Sequence, residues 1–352
     1  MPEPDQFHAQ IIESGARSIA AGAAERLLDA APDAHAFGEP AFPCWQEHLA
    51  GRLLELAGSM RAGEPDLFGS RLRWARLAFE SRGLGVGELE HSLDALERTL
   101  AEDLPSGGGG LIKPYFQAAR RGLTGSDDPG PPALSGPGGE VAARYMLALM
   151  EGDRRGALTL LEEAVGAGMS PEDVMLGVLV PVEREIGRLW HLGEVGIGEE
   201  HFLTNTTMLA LGWLRTLLTA EEPNGNTVLI GAVSGNRHEL AGRITGLVME
   251  RAGFRVIDLG VETPAHDMIR AAGDYGVDAV LLGVMLTTQI ESASQAIELM
   301  RADSRIGSAA IVVGGHVFDE APDLWKRVGA DGHARTIQEA PALIERLIAG
   351  RA

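Results

Sequence analysis

Apolar residues recur at helical spacing through three early stretches: QEHLAGRLLELAGSM (46–60), LFGSRLRWARLAFES (67–81) and ELEHSLDALERTLAEDL (88–104). Residues 124–140, TGSDDPGPPALSGPGGE, are dense in Gly, Pro, Ser and Asp and predict a linker. About four more helices follow. In the best signed of them, Ser170 is the expected N-cap, Pro171 the first helical residue and Asp173 the capping-box partner. That helix is expected to run to about Trp190 and stop at Gly193, with the next starting near Glu199 and Glu200. The period changes at Thr227. TVLIGAV, FRVIDLG, DAVLLGVML and AAIVVGG are short apolar runs separated by helical patterns, and DGHA with a last helix closes the chain. Continuous apolar strands alternating with helices predict a parallel, doubly wound sheet.

Composition narrows the class. The chain has 352 residues, 45% hydrophobic and 23% charged, and suits two or three globular domains. No run of eighteen apolar residues predicts a membrane span, and MPEPDQFHAQ has no signal-peptide pattern. A single cysteine, Cys44, excludes an internal disulfide and suits a reducing, cytoplasmic setting. The net charge of -20, with no basic run longer than two residues, argues against direct nucleic-acid binding. No nucleophile-base constellation stands out, so a non-enzymatic role is expected.

In a doubly wound sheet, ligands lie beyond the carboxyl ends of the strands. The loops there are VSGNRHELAG, LGVETP, GVMLTTQ and VGGHVF. None carries GxGxxG, which argues against a dinucleotide. The first, Asn236-Arg237-His238-Glu239-Leu240-Ala241 with Gly242, resembles the DxHxxG signature of cobalamin-binding domains. Gly283-Val284-Met285, followed by Leu286, Thr287 and Thr288, stands where that family has SxL, and Gly314-Gly315 matches its glycine pair. The resemblance covers residues 226–352 and implies a Rossmann-like fold. It also implies that His238 ligates cobalt from below while the nucleotide tail enters a slot lined by the other two segments. An imidazole suits the metal, and small residues suit close approach of the tail.

Upstream, Trp190, nine residues and then Glu200-His201 match the motif of the four-helix cap in CarH-type, adenosylcobalamin-dependent light sensors. The resemblance implies that Trp190 packs on the adenosyl group, that Glu200 binds its ribose and that His201 supports the pocket. His191 is implied as the upper cobalt ligand after photolysis. In methyl-transferring relatives an Asp and a Ser form a proton relay behind the lower histidine. Asn236 and Gly283 occupy those places here and cannot relay a proton, and Ala241 replaces the signature glycine.

Residues 1–123 resemble, more loosely, the globin-like module of photocobilins, which pair cobalamin with biliverdin. Trp45, His48, Arg52, Arg71, Trp74 and Arg76 are then candidates for ring stacking and propionate binding. They equally suit an ordinary helical core with arginines on a solvated face, and Cys44 suits either a bilin thioether or plain burial.

The expected architecture is multidomain α and α/β. It comprises an all-helical, globin-like module at 1–123, a linker at 124–139, a four-helix-bundle cap at 140–222 and a Rossmann-like cobalamin domain at 226–352. The expected function is light sensing through adenosylcobalamin and biliverdin, with light-dependent self-association or a protein partner as output. The alternative is a corrinoid carrier of a methyltransferase system.

Overall fold

The computed structural model describes residues 4–34, 38–105, 107–125, 134 and 138–351. Most of the expected linker lies outside the described residues. The chain divides into two units: Met1–Asp128 with Met285–Ser294 and His316–Val328, and Pro129–Val284 with Gln295–Gly315 and Gly329–Ala352.

The first unit is helical. Its long elements are Pro4–Ala30, Ala41–Ala62, Pro65–Ser81, Val86–Asp103 and Lys113–Thr124. The three helices expected from the sequence are all present. Pro4–Ala30 was not foreseen: the face it buries is largely alanine, with Ala9, Ala16, Ala20, Ala23 and Ala24 in the core, so its apolar period is faint. Small residues let the neighbouring helices approach closely. At Gly58 an added Cβ would stand 2.3 Å from the Thr287 carbonyl oxygen, so only glycine fits there.

The second unit holds the cap and the sheet. Its cap contains the helices Gly139–Met150, Arg154–Gly166, Pro171–Leu192 and Ile197–Arg215. Ser170 caps the third as expected, its hydroxyl accepting from the Asp173 N–H at 3.0 Å, and Gly193 ends it with φ +76°. One feature of this helix is invisible to its period. Residues Met175–Leu179 form a π-turn just before Pro181, and the Val180 N–H reaches back to the Met175 carbonyl. A proline inside a regular helix removes a hydrogen bond and crowds the carbonyl four residues earlier, which a widened turn relieves.

The sheet has five parallel strands: β1 (Thr227–Ala232), β2 (Arg255–Asp258), β3 (Ala279–Gly283), β4 (Ala310–Gly314) and β5 (Gly332–His333). Their order is β2-β1-β3-β4-β5, the doubly wound arrangement expected. Every residue of β1 is buried, as are the first four of β3 and of β4, whereas the edge strand β2 is only partly covered. The cap is not a separate bead. Ile244, Leu247 and Val248, from the helix Leu240–Arg251 that follows β1, complete its core beside Val182, Leu203 and Leu214. This shared core sets the cap relative to the end of β1.

Candidate functional site

The order of strands reverses between β1 and β3, and the loop leaving β1 carries His238 at that switch point. Asn236, 2% exposed, organises the loop. Its Oδ1 accepts from the His238 backbone N–H at 3.0 Å and lies 2.9 Å from His238 Nδ1. Its Nδ2 donates to the Gly283 carbonyl at the end of β3, at 3.0 Å. With the amide nitrogen spent on a carbonyl, the amide oxygen must accept from Nδ1–H, so Nε2 carries the lone pair. Burial holds the His238 imidazole below its ordinary pKa, opposed by the Glu200 carboxylate. His238 is thus neutral at neutral pH and fit to ligate a metal.

The loop is tied down from outside as well. Glu262, in the turn after β2 with φ +53°, accepts from the Gly235 N–H and from Arg237 Nε, both at 2.9 Å. Arg237, expected at the cofactor, is therefore paired with Glu262 on the surface. Ala241, in place of the signature glycine, lies in the helix starting at Leu240, and nothing crowds a Cβ at Gly242. The late glycine is not needed for the loop's shape.

The second and third segments meet at the strand ends. The Val284 N–H donates to the Gly314 carbonyl at 2.9 Å. At Gly315, φ is +125° and a Cβ would stand 2.0 Å from the Val284 oxygen, so the second glycine is required by the chain itself. At Gly314, by contrast, the nearest atom to a Cβ is 3.8 Å away. Gly283 is similarly open, with 3.6 Å to Ala232. At these two positions a side chain would meet only ordinary contacts, so the chain itself does not demand glycine, and both stay partly exposed at the strand ends where a nucleotide tail would need room.

In the first unit, the Met285 and Leu286 N–H groups donate to Gln289 Oε1 at 2.8 and 3.0 Å, and Thr287 is buried with Gly58 against its carbonyl. The sequence reading missed Gln289 and Glu262. Both are ordinary loop residues whose roles depend on which backbone groups the fold brings to them.

The cap brings Glu200 to face His238. Glu199 is spent on the helix start, where its Oε2 accepts from the Gly196 N–H at 2.8 Å. Glu200 is left for the site, with His201 Nε2 at 3.6 Å and largely exposed. Trp190 is 48% exposed, so about half of a large apolar side chain is open to solvent, and His191 is half-buried beside the left-handed Gly193. The donor set fits a corrin. Among the described residues no group of three metal-ligating side chains exists. His238 Nε2 would be the imidazole donor this chain offers to such a group.

The bilin candidates have partners of their own within the first unit. Trp45 is fully buried and donates to the Ala34 carbonyl at 3.1 Å. His48 packs edge-on against Trp45 and Phe79, and burial, with Arg52 adding to it, drives its pKa down to about 3. Arg52 pairs with Glu55 at 2.9 Å, Arg71 with Glu320 at 2.5 Å and Arg76 with Glu80 at 2.9 Å. Trp74 and Cys44 are half-buried. The structure brings this set together inside a helical core, with carboxylates already on its arginines and an uncharged His48.

Comparison with known proteins agrees with this geometry. Residues 141–215 match one B12 binding domain family and residues 226–342 another. A corrinoid protein of Desulfitobacterium hafniense is 25% identical over 206 residues, 57% of this chain and 94% of that protein. A dimethylamine corrinoid protein of Methanosarcina acetivorans is 27% identical over 195 residues, 53% of this chain and 87% of that protein. The structure of a Methanosarcina barkeri monomethylamine corrinoid protein superimposes with a TM-score of 0.51 at 19% identity, covering 58% of this chain and 97% of that one, which speaks to fold alone. No helix among the described residues is long and apolar enough to cross a membrane. Residues 141–215 and 226–342 therefore belong to the B12-binding domain families, and the cofactor they bind is a corrinoid.

Proposed function

We propose that this chain is a corrinoid carrier, which holds a cobalamin between its cap and its doubly wound domain and presents it to a methyltransferase. The observation that carries the reading is the likeness of more than half of the chain to corrinoid proteins; the Asn236–His238 pair, which offers a neutral imidazole with Nε2 available, supports the cobalamin site that the reading needs. The names of the relatives reported above, corrinoid and dimethylamine corrinoid proteins, support the carrier role. When bound, the corrinoid supplies the methyl-accepting and methyl-donating cobalt. His238 would hold and orient it, the cap carrying Trp190 and Glu200 would shield it from water, and the transferase partner would supply the substrate site. The test is a dark experiment. Protein loaded with methylcobalamin is mixed with a corrinoid-dependent methyltransferase and its acceptor, and loss of the alkyl-cobalt absorption is followed. Transfer only when both proteins are present supports the carrier; no transfer with any such transferase rejects it.

A second reading is favoured by two particular features. The exposed face of Trp190 suits an adenosyl group, and Asn236 stands where a relay would need a carboxylate. On this reading the chain is a light sensor holding adenosylcobalamin. His191, half-buried beside Gly193, would be the residue to hold the cobalt once the adenosyl group is lost, and a change in the cap would alter association with itself or a partner. Green light on protein loaded with adenosylcobalamin should then give a two-histidine spectrum that His191→Ala lacks, together with an altered size-exclusion profile. Biliverdin binding belongs to the same reading: titration into the full chain should give a red-shifted band, and an unshifted spectrum removes it.

A further inference from the structure

We propose that Glu183, Thr204 and Glu200 form a hydroxyl-bridged carboxyl pair that stores one proton in the cap, on the side facing His238. The inference rests on the reading that the corrinoid lies between Glu200 and His238. Glu183 comes from the helix Val180–Leu192, and Thr204 and Glu200 lie one turn apart on Ile197–Arg215. Thr204 Oγ1 is 3.0 Å from Glu183 Oε2 and 3.0 Å from Glu200 Oε1. A hydroxyl has one hydrogen, so two carboxylates at these distances would have to share it in a weakened three-centre bond. Both contacts are full hydrogen bonds only if one carboxyl brings a proton of its own.

The environment says which carboxyl carries it. Glu183 Oε1 is buried and has no hydrogen-bond partner among the described residues, a position that favours the neutral acid over the carboxylate. Thr207, the nearest other hydroxyl, is engaged with the Leu203 carbonyl at 3.3 Å and faces the Tyr145 hydroxyl at 3.4 Å. The titratable groups facing Glu183 are Glu200 from the opposite helix and Tyr145 from Gly139–Met150. Burial is the largest influence and raises the Glu183 pKa; the Thr207 and Thr204 hydroxyls oppose it in that order, and the Glu200 charge adds a last, smaller upward push. The chain therefore runs from the Glu183 O–H to Thr204 Oγ1, and from the Thr204 O–H to the Glu200 carboxylate.

This arrangement gives the cap two interconvertible faces. With the proton on Glu183, Glu200 is anionic and accepts hydrogen bonds from whatever occupies the space above His238. When a negative group arrives there, the Glu183 O–H breaks as a new O–H forms on Thr204. The original Thr204 hydrogen moves to Glu200 Oε1 at the same time. Glu183 is left anionic and Glu200 becomes a donor. Charge and protons balance within the three residues, with no outside reactant. Glu183 is thus a positioning residue, acting on the site through Glu200.

The test uses the full chain without cobalamin, by infrared spectroscopy at neutral pH. Wild type should show a protonated-carboxyl C=O stretch that is lost in Glu183→Gln. In Thr204→Val the band should remain but move to higher frequency, because its hydrogen bond is gone. No such band in wild type, or a band that survives in Glu183→Gln, overturns the proposal. A band unmoved in Thr204→Val shows that the hydroxyl does not bridge and overturns it equally. Circular dichroism on the same samples confirms that each variant is folded. Cobalamin binding, measured separately by absorption, tests the reading beneath it, so the two failures are distinguishable.

Discussion

Asn236 Oδ1 lies 2.9 Å from His238 Nδ1, while Asn236 Nδ2 donates to the Gly283 carbonyl at 3.0 Å. One amide thus sets the tautomer of the candidate cobalt ligand and ties its loop to the neighbouring strand. A carboxylate could do the first but not the second, because it has no hydrogen to give Gly283.

Replacing this residue separates the two tasks. Asn236→Ala should lower cobalamin affinity about 10- to 100-fold, as loss of a ligand-orienting group does, and cost about 0.5–1.5 kcal/mol of stability by removing one of the two hydrogen bonds on the Gly283 carbonyl, which also accepts from the Val233 N–H at 3.2 Å. Asn236→Asp should keep His238 oriented but set an oxygen against that carbonyl. Its stability should therefore fall as pH rises through the carboxylate range. Chemical denaturation at two pH values, with cobalamin titration beside it, checks both.

His238→Ala should abolish the spectrum in which a protein imidazole replaces the cofactor's own base, or abolish binding altogether. Because burial holds the wild-type imidazole below its ordinary value of 6.5, ligation should persist down to that value and weaken only as pH falls through the depressed pKa. A pH series of absorption spectra measures this. An unchanged spectrum in the variant removes His238 from the role.

The glycine pair should respond asymmetrically. Gly315→Ala meets the Val284 oxygen and an unfavourable φ, and should destabilise by about 1–3 kcal/mol even without cofactor. Gly314→Ala makes only an ordinary contact, 3.8 Å to the Ala334 oxygen, and should leave stability within about 0.5 kcal/mol of wild type. It should weaken cobalamin binding if the tail passes there. Equal stability losses in the two variants would contradict the geometry.

Acid should strain the helical unit at His48. Its pKa falls from 6.5 to about 3 on folding, so between those values the unfolded chain binds the extra proton. Stability is then lost as pH falls through that window, by up to about 1.4 kcal/mol per pH unit. His48→Phe, which suits a site lined by Trp45 and Phe79, should flatten this acid limb. Denaturant midpoints at neutral pH and near pH 4.5 provide the comparison.

Much of this was legible along the chain. Four apolar runs announced the sheet because parallel strands buried on both faces need no polar alternation, and β1, β3 and β4 are buried accordingly. Ser170, Pro171 and Gly193 marked the ends of a helix because capping is local chemistry. His238 could be placed at a strand end for the same reason. The tertiary structure decided the rest. Trp45, His48 and Arg52 read equally well as a ligand face or as a core, since periodicity tells which side of a helix is covered and not what covers it. The π-turn before Pro181 changes the facing of every residue after it. The meeting of Glu183 with Thr204 depends on the register of two helices, twenty-one positions apart in sequence, which no local pattern encodes. Local hydrogen bonds and apolar period are written in neighbouring residues. Which buried polar groups come to share one hydroxyl is settled only when packing fixes the distances between elements.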